Sequence, residues 1–310
     1  NKGIGWHSGA YGPETSEHVL GAWQIYEHTG DLNFLRDAYE DHFDTLFHKR
    51  ISGFAMNEFE VAEILEKMAN VLGKKEDEEH WRKLVRRDPE HIRLMFDQRW
   101  ESNGVPDYFA APKNKMLMTN GFWAMRSPHF PREYAVTMVR NWALNRKKGF
   151  YGEFFPLAMS KQSMQAFATD VDHSFGYTPD TAYFTLDGIF CQNLLPEATE
   201  LTLNHLLNYN YHPDWKTPIA PEAYKRDRTL FGDQYSNFNA GKILLYLEGM
   251  GGLNLSIPNQ MLTVRPALPK AWDWMEICLP IQEQWTRIHY RHDKTEIQDS
   301  PIPWRVVKSH

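Results

Sequence analysis

The chain has 310 residues, 42% of them apolar and 24% charged, with a net charge of −6 and a pI near 6.2. That length makes one large domain or two moderate ones. With no basic excess to neutralise phosphates and no run of about 18 apolar residues, neither a nucleic-acid partner nor a membrane span is read.

Residues 1–14 form a Gly-rich loop carrying Trp6, His7, Tyr11 and Glu14. The spacing of Val19, Ala22, Trp23 and Tyr26 predicts a helix from Thr15 to His28. Thr29-Gly30-Asp31 stops it and caps a second helix reaching Phe47, so the two make an αα-hairpin. Residues 57–72 repeat the design, with Val61, Ile64, Leu65, Met68, Ala69 and Leu72 as the stripe and Gly73 as the stop. Lys74 to Glu79 reads as a solvated turn. Helical pattern then resumes to Arg99, with a break at Pro89. Residues 100–129 read as loop, Pro131 to Asn145 as helix, and Lys147 to Asp180 as mostly irregular. Thr178-Pro179 opens a helix carrying Tyr183, Leu186, Ile189 and Phe190, and Leu195-Pro196 opens another.

The stretch 218–253 organises the rest. Glu222 lies in a Pro-bounded loop. A polar turn follows with Asp233, Gln234, Tyr235, Asn237 and Asn239, then a buried helix with Ile243, Leu244, Tyr246 and Leu247 inward, ended by Gly249, Gly251 and Gly252. Carboxylates, amides and phenols in one loop suit a polyol, whose hydroxyls need hydrogen bonds and whose apolar faces stack on aromatic rings. An ordinary solvated loop has the same composition. Past Gly252, Leu253–Ile257, Met261–Val264, Met275–Leu279 and Trp285–Tyr290 read as short strands, and Asp293–His310 as a surface strap. The expected division is a helical domain at 1–252, a small β segment at 253–292 and a tail at 293–310. No repeat of about 34 or 40 residues supports a solenoid. Helix pairs separated by aromatic loops fit an α/α toroid, whose loops gather at one end.

Cys191 and Cys278 read as two buried thiols. The chain starts Asn1-Lys2, as a processed chain or a piece of a longer one would. No secretory signal is read, and the sequon Asn254-Leu255-Ser256 leans weakly towards a secreted or lumenal setting.

Several stretches carry a resemblance. They are Trp6-His7-Ser8-Gly9 with Gly12, Glu14, His18 and the Tyr26…Thr29-Gly30-Asp31 hairpin; Asn57 with Ala69…Leu72-Gly73; and Phe175-Gly176-Tyr177-Thr178-Pro179-Asp180 with Leu194 and Glu197-Ala198. Further on come Ile219-Ala220-Pro221-Glu222-Ala223-Tyr224, Ser236-Asn237-Phe238-Asn239-Ala240, and Leu262-Thr263-Val264…Pro266-Ala267-Leu268-Pro269…Trp272. In this order they resemble the six-hairpin (α/α)6-barrel glycosidases: trehalases, N-glycan-trimming α-glucosidases and disaccharide phosphorylases. The resemblance implies a mainly α fold, an (α/α)6 toroid with a small C-terminal β appendage. Nine or ten helices are read where the barrel has twelve, which leaves further N-terminal residues or another chain to complete it. The relatives carry their acid after the Thr-Gly-Asp hairpin, but His48–Phe54 has no carboxylate.

An inverting glycosidase sets a protonated carboxyl about 6.5–9.5 Å from a carboxylate that activates water. Glu222 is the candidate base, by its loop and by the resemblance, and Asp233 is a second candidate or a sugar hydrogen-bonder. For the acid, Asp172, Asp180 and Glu153 are candidates. Asp180 opens a helix, which favours its anion and suits a cap, whereas Glu153 lies between Gly152 and Phe154, where desolvation raises a carboxyl's pKa. Trp6, His7, Tyr11, Glu14, Tyr177, Tyr224, Gln234 and Tyr235 are the expected sugar contacts, with Trp123 and Tyr151 as further loop aromatics; taken alone, Trp6, Tyr11, Trp123, Tyr151 and Tyr177 are each more often packing residues. No cofactor is expected. Asp170-Val171-Asp172-His173 matches no metal-ligand spacing, so no metal is expected either.

The reading is an inverting hydrolase of an α-linked glucoside or related glycan. Its alternatives are a degenerate glycan-binding or structural relative, a phosphorylase with Lys225, Arg226 and Arg228 holding phosphate, and a helical protein-interaction module.

Overall fold

The computed structural model describes residues 12–40, 56–84, 89–102, 119–152, 155–157, 160–166, 179–210, 221–224, 230–234 and 236–308. The chain divides into two compact units, 1–92 with 255–261, and 93–254 with 262–310.

In the first unit, α1 (Gly12–Thr29) and α2 (Leu32–Ala38) form the expected hairpin. Asp31 caps α2: its Oδ1 accepts from the amides of Asn33 at 2.9 Å and Phe34 at 3.0 Å. These are two of the amides a helix start leaves unbonded. Next, α3 (Met56–Val71) and α4 (Lys75–Leu84) form a second pair. Gly73 turns the chain between them at φ +72°, and the Lys74 amide closes on the Ala69 carbonyl at 2.9 Å. Lys74–Glu79 is therefore not a solvated turn: helix begins at Lys75. Glu76, Asp77 and Glu78 fill its first turn, where the helix dipole favours anions.

Between these helices Val19, Tyr26, Leu35, Tyr39, Val61, Leu65, Met68 and Trp81 bury a common core. Each full burial of such an apolar side chain contributes about 1.5–3 kcal/mol. The Trp81 indole N–H donates to the Tyr39 hydroxyl at 2.8 Å, and that hydroxyl donates to Asp77 at 3.1 Å. The segment 255–261 belongs to this unit, with the Ile257 amide donating to the Glu27 carbonyl at 2.7 Å.

The next helix is α5 (Pro89–Ser102), with Pro89 at its first position. In the second unit a 3-10 helix, Thr119–Arg126, occupies part of what reads as loop in the sequence. Then come α6 (Arg132–Met138), a π-turn at Val139–Ala143, α7 (Lys161–Ala166), α8 (Pro179–Cys191) and α9 (Leu195–Asn210). Strands β1 (Pro221–Tyr224) and β2 (Leu230–Gln234) pair antiparallel, where the sequence suggested a loop and turn. α10 (Ser236–Leu244) follows and runs into a second π-turn, Leu245–Met250.

The core of this unit is aromatic. Phe122 meets Phe150 edge-on at 5.5 Å and Trp123 meets Phe184 at 5.0 Å. Tyr151 is buried, with the Arg146 guanidinium 4.1 Å above its ring. For Trp123 and Tyr151 these contacts are those of packing residues. Along α10 and the π-turn after it the inward residues are Lys242, Leu245, Gly249 and Met250, whereas Ile243 and Tyr246 are exposed, a correction to the face read from sequence.

The β segment begins with β3 (Asn254–Ser256) and β4 (Met261–Val264). β5 (Trp274–Ile281), β6 (Gln284–Arg291) and β7 (Thr295–Gln298) form a three-stranded antiparallel sheet in that order. β8 (Arg305–Lys308) pairs beside β4, so the expected strap contains two strands. Met275, Ile277, Ile281, Ile288 and Tyr290 bury one face of β5–β6, in the period-2 alternation of a half-covered sheet. Both Cys191 and Cys278 are exposed thiols, not buried ones.

Candidate functional site

β1 and β2 bring the leading candidates together. Pro221 pairs with Gln234, Ala223 with Phe231 and Tyr224 with Leu230, with a register shift between Pro221 and Ala223. The shift sets Glu222 alone opposite Gly232 and Asp233. Such a β-bulge interrupts the ladder, bends the strand and re-aims a side chain, and bulges are frequent beside active sites. β1 also lies against α8, whose second residue is Asp180. Glu222, Tyr224, Asp233, Gln234 and Asp180 thus sit on neighbouring elements. Glu14 lies in the first turns of α1, in the other unit. Trp6, His7, Tyr11, Glu153, Asp172, Tyr177 and Tyr235 fall outside the described residues, as do Lys225, Arg226, Arg228 and the interval His48–Phe54.

Behind the hairpin, α8 is clamped to its neighbours by a cluster of ionisable groups that the sequence reading missed. The Tyr183 hydroxyl donates to Glu248 Oε2 at 3.0 Å. Arg126 Nε donates to Asp187 Oδ2 at 2.9 Å, and its guanidinium lies 5.2 Å from the Phe184 ring centroid. Burial, and then the negative charge of Asp187, push the Glu248 carboxyl up to about 7. Burial likewise raises the Tyr183 phenol. With Glu248 protonated, Arg126 balances Asp187 and the cluster is neutral, the arrangement a low-dielectric interior favours.

A raised carboxyl pKa is what a general acid needs, but the position of Glu248 argues against that role. Its carboxyl is engaged by the Tyr183 hydroxyl inside the packing of α8 against the π-turn, where it is partly buried and committed to a contact between helices. Its bond to Tyr183 ties the π-turn to α8, and the Arg126–Asp187 pair ties α8 to the 3-10 helix. The signal in the sequence is a lone carboxylate inside the apolar run Ile243–Gly252.

A second set of buried groups is His205 on α9 and Lys242 on α10. His205 Nδ1 donates to the Phe155 carbonyl at 2.8 Å. Burial, and then the charge of Lys242, push the imidazole down to about 3, so it is neutral at physiological pH. Burial pushes Lys242 down to about 8. Among the described residues no three His, Cys, Asp or Glu side chains gather as metal ligands would, and no helix is long and apolar enough to cross a membrane.

The fold has counterparts among solved structures. Over 92% of its length the chain superposes on a sialidase with a TM-score of 0.63 at 12% identity. Over 94% it superposes on the α-L-rhamnosidase from Dictyoglumus thermophilum with a TM-score of 0.55 at 10% identity. In fold, this chain resembles the six-hairpin glycosidases. The resemblance read from the sequence is thus met by structure. The chain spans about a third of each of those proteins, 31% and 34%. The described residues show helix pairs and small sheets of this fold rather than a complete ring of six hairpins. No family model and no curated protein matches the chain.

Proposed function

We propose that this chain is the catalytic part of an inverting glycoside hydrolase, built on an (α/α)6 toroid and acting on an α-linked glucoside or a related glycan. The observation that carries the reading is the bulged hairpin. It sets Glu222 across from a bulge that β2 forms at Gly232 and Asp233, beside a helix that starts at Asp180, in a fold shared with glycan-cleaving enzymes.

Glu222 is the general base and takes a proton from the attacking water. Asp172, Asp180 or Glu153 protonates the departing oxygen. Asp180 is the least suited of the three, because the start of α8 stabilises its anion. Tyr177, Tyr224, Asp233, Gln234 and Tyr235 bind the sugar through hydroxyl hydrogen bonds and ring stacking. The two-carboxylate scheme uses no cofactor.

The stereochemistry tests it. Proton NMR of the first-formed sugar from an α-glucoside shows the β-anomer if the enzyme inverts. A first-formed α-anomer would refute the single-displacement mechanism and its assignment of Glu222 as base to water.

A further inference from the structure

The outward face of the β5–β6–β7 sheet is unusual for a solvated surface. Trp274 is 56% exposed and Trp285 63% exposed, and both side chains stand on this face. The register fixes where. Trp274 pairs with Arg291 at one end of the β5–β6 ladder, and Pro280 pairs with Trp285 near the other. The two rows are six residue steps apart along β5, roughly 20 Å at about 3.4 Å per step. Between them run two polar rows, Glu276–His289–Glu296 and Cys278–Arg287–Gln298.

The surface is also organised. The His289 ring stacks on the Trp274 indole, with centroids 5.5 Å apart and planes 19° from parallel, while His289 Nδ1 lies 3.8 Å from Glu276 Oε2. Arg287 pairs with Asp299 at 3.2 Å, and Lys294 pairs with Glu296. Glu276, Glu296 and Asp299 stand against Arg287, Arg291 and Lys294 on and beside this face, so it has no charge excess that would select an anionic or a cationic ligand. It offers two flat apolar rings at its ends and hydrogen-bonding groups between them.

We propose that this face is a platform for an extended, uncharged polysaccharide chain, whose sugar rings stack on Trp274 and Trp285 while its hydroxyls meet the polar rows between. Stacking on exposed rings and hydrogen bonds to vicinal hydroxyls are what such a chain requires. Exposed aromatic rings also occur at protein interfaces, a case that sedimentation of the chain separates. The platform is separate from the Glu222 hairpin and stands whether or not that hairpin is catalytic.

The test is affinity electrophoresis of the 310-residue chain through gels containing soluble starch, mixed-linkage β-glucan, galactomannan or polygalacturonate. Retardation by at least one neutral polysaccharide and none by polygalacturonate is expected. Trp274→Ala and Trp285→Ala should each weaken it at least tenfold with unchanged circular dichroism and Tm. In a Cys191→Ser background, the retarding polysaccharide should slow maleimide labelling of Cys278, the thiol at the centre of the face. Lack of retardation by any neutral polymer overturns the proposal, as does retardation that survives the double variant. A chain that sediments as a dimer, and as a monomer once both tryptophans are removed, overturns it too, because a second copy would then cover the face.

Discussion

Glu248 is a carboxyl held against its own ionisation, and this has a measurable consequence. Its pKa rises from an ordinary 4.5 to about 7 in the folded chain. Between those values the native state binds more protons than the unfolded one, so stability falls as pH rises through the window. The contribution is fully present below pH 4.5 and is lost as pH climbs past 7. A shift of that size corresponds to on the order of 3 kcal/mol at 1.36 kcal/mol per unit. Urea denaturation at pH 5 and pH 8 should show the wild type losing stability over this interval, and Glu248→Gln losing clearly less. Equal losses in both would mean that Glu248 is not the titrating group. The neighbouring ion pair gives a second expectation. Arg126 and Asp187 are 17% and 16% exposed, and removing one partner of a largely buried pair typically costs about 3–5 kcal/mol. Arg126→Met should therefore lower the urea midpoint more than Lys83→Met does, since Lys83 is 72% exposed.

Helix contacts set the next level, and glycines mark two of them with opposite demands. At Gly249, a Cβ would stand 2.7 Å from the Phe190 ring. Gly249→Ala should overpack the contact of the π-turn with α8 and cost about 1–3 kcal/mol. At Gly73 nothing lies within 4 Å, and only the φ of +72° resists a side chain. Gly73→Ala should cost about 1 kcal/mol, from backbone strain alone. Thermal melts of the pair separate the two causes, and Gly73→Asn, which tolerates this backbone region, should recover most of the loss.

The α1–α2 and α3–α4 hairpins were legible in the sequence because their signals are local. Asp31 is a cap, Gly30 and Gly73 are stops, and Val61 to Ala69 keeps helical period. The start of α4 was hidden because charged residues from Lys74 onward look solvated whether or not they are helical. The inward face of α10 was hidden for another reason. Ile243 to Leu247 are five apolar residues in a row, and a continuous run carries no period. β1 and β2 are four and five residues long and partly polar, and only pairing makes them strands. Of the candidate site, Glu222 and Asp233 could be picked out in the sequence as carboxylates in a loop. The β2 bulge at Gly232 and Asp233, which faces Glu222, depends on register, which sequence does not carry.

The whole chain falls into two units and spans about a third of the proteins whose fold it shares. The proposed glycosidase function rests on the fold together with Glu222. The most direct test is sugar release from α- and β-linked disaccharides and glycans by the purified chain and by Glu222→Gln, with and without phosphate. The account predicts phosphate-independent release from an α-glucoside, reduced at least a thousandfold in the variant. Release that the variant leaves unchanged, or that occurs only with phosphate, would contradict it.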